Sequence, residues 1–200
     1  DGGPHAASAL GYMYAQGRGV QKDLEEAKKL YMMAHEAGHR IATYNLAVLF
    51  EGRSGPALGV PDLEKAIRFY RQAAEAGEEF AQRNLGVCYH HGKGVEKDLS
   101  KAKAWGAKAV KQGNAQAMVN LAGVLQTLEG PFAARPTVLL LLRASAEKGN
   151  ATARNALPQL EAEIRSEGGQ CGKARGGATP PSLCGGCGGI AYCSRACAKK

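Results

Sequence analysis

Leucine returns along this chain at Leu10, Leu46, Leu85, Leu121 and Leu157, with steps of 36, 39, 36 and 36 residues. Four residues after each of the first four stands a second large apolar side chain, giving Leu10 with Tyr14, Leu46 with Phe50, Leu85 with Tyr89, and Leu121 with Leu125. Residues four apart share a helix face, so each pair predicts an amphipathic helix, the first over about Ala6 to Ala15. A second apolar set keeps the same phase: Ala27, Leu30 and Ala34, then Ala66, Phe69 and Ala73, then Ala102, Trp105 and Ala109. These are expected to form the buried face of a second helix. Gly17-Arg18-Gly19 and Gly92-Lys93-Gly94 lie between the two helices, in turns where glycine tolerates positive φ. Asp23, Asp62 and Asp98 precede the second helix at matched positions, where a carboxylate can accept from an unpaired backbone amide. Asp23 and Glu26 also have capping-box spacing. Gly38, Gly77, Gly113 and Gly149 close the unit and are expected to be left-handed residues at the helix end.

A helix pair repeated at this interval cannot bury its apolar face alone and stacks on its copies. The pattern therefore predicts an all-α chain, an α/α solenoid of about four helix pairs over residues 1–166. Repeat two carries three extra residues in its loop, around Arg53 to Gly59. Repeat four has Ala134 where the capping aspartate belongs and lacks the Gly-x-Gly turn, as expected of a terminal repeat. A last helix is expected from Ala151 to about Arg165, kinked or interrupted at Pro158. Glycine and two prolines then dominate residues 167–183, which read as a flexible linker.

Composition adds limits. No window approaches 18 consecutive apolar residues, and no run is longer than that of Val138 to Leu142, which is too short to span a membrane. Of the net charge of +8, the stretch from Cys171 to Lys200 carries +5 through Lys173, Arg175, Arg195, Lys199 and Lys200. A basic tail attracts nucleic acid, but metal-bound thiolates would cancel much of this charge, so a nucleic-acid partner is not expected. Five of the six cysteines fall in that stretch and only Cys88 lies among the repeats. A disulfide framework would spread them through the fold. Their clustering points to reduced thiols, metal binding and an intracellular setting, cytoplasmic or nuclear.

The repeated residues resemble the Sel-1-like repeat family, relatives of the tetratricopeptide repeats with a longer loop and a glycine-rich turn. The likeness runs from about Ala6 to Glu167. It implies a non-enzymatic adaptor that holds a protein or peptide partner in a groove lined by the first helices. A second resemblance lies in residues 184–200: Cys184-Gly-Gly-Cys187, then Cys193-Ser-Arg-Ala-Cys197 with Tyr192 before it, is similar to the middle of a MYND-type zinc finger. That family holds two zincs in interleaved sites. The resemblance implies Cys171, Cys193 and Cys197 at one and Cys184 and Cys187 at the other, with proline-rich peptides as partners of the finger. Gly168 and Ala174 stand where the mate of Cys171 belongs, and the last His and Cys of the motif are expected beyond Lys200. Zinc is therefore expected to bind residues 1–200 weakly or incompletely. The rival reading is the recruitment region of a larger enzyme whose catalytic domain lies beyond residue 200.

Several motifs suggest catalysis and fail on phase. His35-Glu36-Ala37-Gly38-His39 spells a zinc-protease signature, but Gly38 aligns with the other closing glycines, so His39 is expected to leave the helix. Ser145-Ala146-Glu147-Lys148 matches S-x-x-K without the companion motifs. The Gly-x-Gly turns follow no strand and lack the ending of a phosphate loop. Cys88 with His90 and His91 reads as a helix end. One series is less ordinary: Asn45, Asn84 and Asn120 each precede the recurring leucine. That places them about 100° round the helix from it, either facing the groove to bind an extended peptide or tying neighbouring helices together.

Overall fold

A computed structural model describes residues 3–52 and 61–173, with side chains through residue 165. The described residues form α1 (Pro4–Gln16), α2 (Leu24–Glu36), α3 (Arg40–Phe50), α4 (Leu63–Glu75), α5 (Glu79–His91), α6 (Leu99–Lys111), α7 (Ala115–Glu129), α8 (Pro131–Glu147) and α9 (Ala151–Lys173). They divide into two compact units, Asp1–Gln112 and Gly113–Lys200.

In the first unit α1 packs on α2, α3 on α4 and α5 on α6, and the pairs join through α2 on α3 and α4 on α5. This is the stacked order that the period predicts, a short α/α solenoid. The second helix of each pair starts on its aspartate. Asp23 accepts from the Glu26 amide at 3.0 Å, Asp62 from that of Lys65 at 2.9 Å and Asp98 from that of Lys101 at 2.9 Å. Helices α2 and α4 each end in a Schellman turn. In α2 the His39 amide donates to Ala34 O, and Gly38, at φ 78°, donates to His35 O. Glu78 and Gly77 repeat this on Ala73 and Ala74 of α4.

The residue after each closing glycine then caps the next helix, which the repeat pattern alone did not suggest. His39 Nδ1 accepts from the Ala42 amide, Glu78 Oε2 from that of Ala81, Asn114 Oδ1 from that of Ala117 and Asn150 Oδ1 from that of Ala153. One residue thus ends one helix pair and begins the next.

The core differs from expectation at one position per repeat. Leu30, Phe69 and Trp105 are only half-buried, and the deep site belongs to the following residue, Tyr31, Tyr70 and Gly106. Both candidates flank the alanine ridge about equally, so the facing helix decides. Gly11 of α1 opens the slot for Tyr31, since a Cβ there would lie 2.9 Å from its ring. Gly86 and Gly106 let α5 and α6 approach to backbone contact. Leu10 is 39% exposed, since among the described residues α1 packs chiefly on α2.

In the second unit α7 packs on α8 and α8 on α9. Gly130 alone separates α7 from α8. Ala134 is therefore not at a cap position. Gly130 caps α8 with Pro131 at its first turn, and Ala134 is fully buried inside the helix. Pro136 and Pro158 both lie within helices. The interruption expected at Pro158 does not occur, because losing one amide donor does not outweigh the bonds formed on either side. α9 also runs past Arg165 to Lys173, into the stretch that composition assigns to a linker.

Candidate peptide-binding face

The first helices of repeats two and three leave a stripe uncovered. On α3 it comprises Ile41, Tyr44, Asn45 and Val48, and on α5 Phe80, Arg83 and Val87, all half-buried or exposed at helical spacing. Ile41 is 47% and Phe80 42% exposed, although both are large and apolar. Tyr44 joins the two helices, its ring centroid 6.0 Å from that of Phe80 and 6.0 Å from that of Tyr70. The Arg83 guanidinium lies over the Phe80 ring at 5.5 Å. The stripe thus combines an aromatic floor, a cation and an amide.

A polar chain supports it from below. Arg83 donates through Nε and a terminal nitrogen to Asn84 Oδ1, at 3.1 and 3.0 Å. Asn84 Nδ2 donates to the Tyr70 hydroxyl at 3.2 Å, which donates to Glu51 Oε2 at 2.6 Å. Lys93 pairs with the other Glu51 oxygen. Burial, then the bond to Glu51, holds the Tyr70 hydroxyl well above the usual phenol range, so it stays a donor. The chain therefore fixes the Arg83 head from α5 through α4 to the end of α3.

The asparagine series separates. Asn84 is buried and ties α5 to α4 while orienting Arg83. Asn45 is half-buried on the stripe, and among the described residues its amide has no partner. Asn120 accepts from Gln116 within α7 at 3.2 Å, which leaves its own amide protons uncommitted there.

The histidines of the protease-like motif are committed elsewhere. His35 Nδ1 meets Thr43 Oγ1 at 2.8 Å and its ring abuts Phe69, whereas His39 lies past the helix end and caps α3. Burial first, then His91 and Lys97, holds His90 below the usual imidazole range, while Cys88 is buried. Ser145 is fully buried and donates to Ala115 O at 2.7 Å. No cluster of three metal-ligating side chains occurs among the described residues. Cys184, Cys187, Cys193 and Cys197 lie outside the described residues, as does the side chain of Cys171. Among the described residues no helix is long and apolar enough to cross a membrane.

The stacked pairs, Schellman junctions and uncovered first-helix stripe define an α/α helical-repeat protein. More narrowly, the Sel1 repeat pattern matches residues 4–39, 40–78 and 80–114, and the chain belongs to that family. Sel1 repeats are generally non-enzymatic and mediate protein–protein interaction. The matches stop at residue 114, so the fourth pair, with its single-residue turn, departs from the family pattern. Among solved structures, the chain is similar to a protective antigen present in uropathogenic Escherichia coli strains and displaying an SLR fold. The identity is 30% and the TM-score 0.71, over 78% of this chain and 33% of that one. It is also similar to a Sel1 repeat protein from Oxalobacter formigenes, at 28% identity and a TM-score of 0.70, over 80% of this chain and 62% of the other. The chain therefore spans less than two thirds of either relative. No curated protein matches it.

Proposed function

We propose that the chain is a protein-interaction scaffold whose α3–α5 stripe takes an extended segment of a partner protein. The observation that carries this reading is the exposure of Ile41 and Phe80, with half-buried Tyr44 against Phe80, on faces that also carry an amide and a braced cation. Exposed large apolar side chains in one patch mark binding surfaces. Asn45 hydrogen-bonds the partner's backbone, Arg83 meets a carboxylate or carbonyl, and Phe80 and Tyr44 take an apolar side chain. Asn120 offers the same kind of amide on α7, and Asn84 positions rather than binds. The test is to select peptides on the 1–200 chain from a displayed library and compare affinities with those of Tyr44→Ala and Phe80→Ser. Each substitution should weaken binding about tenfold or more without changing the helical circular dichroism, as for an aromatic anchor. Peptides that bind both variants as well as the parent overturn the assignment.

The tail adds a second module to this reading. Cys171, Cys184, Cys187, Cys193 and Cys197 form an all-thiolate donor set, which suits zinc. The finger so formed docks proline-rich peptides, and clustered thiols that bind metal fit an intracellular setting. With three donors for one ion and two for the other, zinc saturates neither site tightly. A titration of residues 1–200 that finds two tight, saturating sites contradicts this.

A further inference from the structure

The residue after each closing glycine caps the next helix, but the four caps are not chemically equal. Asn114 and Asn150 accept through amide oxygens that do not titrate, whereas His39 accepts through Nδ1 only while that nitrogen is unprotonated. Its other nitrogen completes the proton count. Nε2 lies 3.0 Å from His5 Nδ1, and the two rings meet edge to face with centroids 4.5 Å apart. Since Nδ1 of His39 receives the Ala42 amide, its single ring proton sits on Nε2 and is donated to His5. In this contact His5 Nδ1 is the acceptor. A second proton on His39 must go to Nδ1 and break the cap.

We propose that His5 and His39 form a proton-operated latch that binds the start of α1 to the start of α3 and releases on mild acidification. The titratable and charged groups that bear on His39 are His5 from α1 and Arg40 from α3. His35 of α2 is committed to Thr43, whose hydroxyl donates to His39 O. Arg40 is drawn on toward Glu78, the cap of α5. None of these groups neutralises a charge on His39. Burial, then His5, then Arg40 hold its imidazole below the usual range. The lowered value means that the neutral cap contributes in full above the unfolded-state value of about 6.5, and that this contribution is lost as pH falls below it. The turn released carries Ile41 and leads into Tyr44 and Asn45, so the latch bears on the proposed stripe, yet it rests on the cap and ring contacts alone.

Amide hydrogen exchange at about pH 7.5 and about pH 5, corrected for intrinsic rate, tests this independently of any partner. In the parent chain, protection of the Ala42 amide should fall roughly fivefold on acidification, the loss of one N-cap, while the Ala117 amide under Asn114 does not change. His39→Asn installs a cap that does not titrate and should abolish the response. His5→Ala should weaken α1 protection at the higher pH and leave Ala42 capped. Equal Ala42 protection at both pH values overturns the proposal, as does a His39→Asn variant that responds like the parent. Imidazole nitrogen shifts give a second reading, since a proton on Nδ1 of neutral His39 would also defeat it.

Discussion

At Tyr70 a single hydroxyl serves two partners, taking a proton from Asn84 and giving one to Glu51. Removing it takes one donor from the Glu51 carboxylate, which keeps Lys93, and one acceptor from the Asn84 amide, whereas removing Asn45 breaks no such link. Tyr70→Phe should therefore cost about 1–3 kcal/mol in urea unfolding, and Asn45→Ala less than about 0.5 kcal/mol. Equal costs would mean that the chain beneath the stripe is not a structural unit. The sequence made the asparagines visible as a series but could not assign their roles. The phase that places Asn84 beside Tyr70 depends on two helices at once, and a pattern read along one strand of text shows only one of them. Glu51 was missed for the same reason, since nothing in its neighbours predicts a tyrosine 19 residues away.

Among the helices, the most legible features were the local ones. Asp23, Asp62 and Asp98 cap where they were expected to, and the closing glycines are left-handed. Hydrogen bonds from the Lys65 side chain and amide hold Asp62 below the usual carboxylate range, and those from the Lys101 amide and side chain do the same for Asp98. Lowered values mean that the caps contribute above the unfolded-state value of about 3.9 and lose that contribution as pH falls through the folded values. Exchange at the Lys65 and Lys101 amides should therefore rise between about pH 5 and about pH 3, while the Ala117 amide, under a cap that does not ionise, serves as the reference. The α7–α8 turn was not legible. Gly130 sits at φ 85° and ψ 155°, a region open essentially to glycine alone, and this lets one residue replace the whole loop of the other repeats. Gly130→Ala should destabilise the second unit by about 1–3 kcal/mol in thermal or urea unfolding. A neutral result would show that the turn can relax into another form.

At the scale of the whole molecule, the leucine period was enough to give the helix pairs of the first unit stacked in order, because each pair there touches mainly its sequence neighbours. The division after Gln112 was not visible, since Leu121 keeps the beat across it. Stability in such a stack is a sum of neighbouring interfaces, so damage should stay local. Gly11→Ala places a methyl 2.9 Å from the Tyr31 ring and should raise exchange in α1 and α2 while α5 and α6 keep their protection. A uniform rise across α1 to α6 would instead mean that the first unit opens as one cooperative block.

Because His39 and Glu78 each finish one helix pair and open the next, the seam between repeats is one residue wide and is set by backbone bonds on both sides. Such a seam makes the array spliceable. A second copy of residues 40–78 inserted after Glu78 presents the new Arg40 to a cap already in place and ends on a fresh one. The chain can then be lengthened by whole repeats without redesigning a junction, each copy adding one more α3 face to the array.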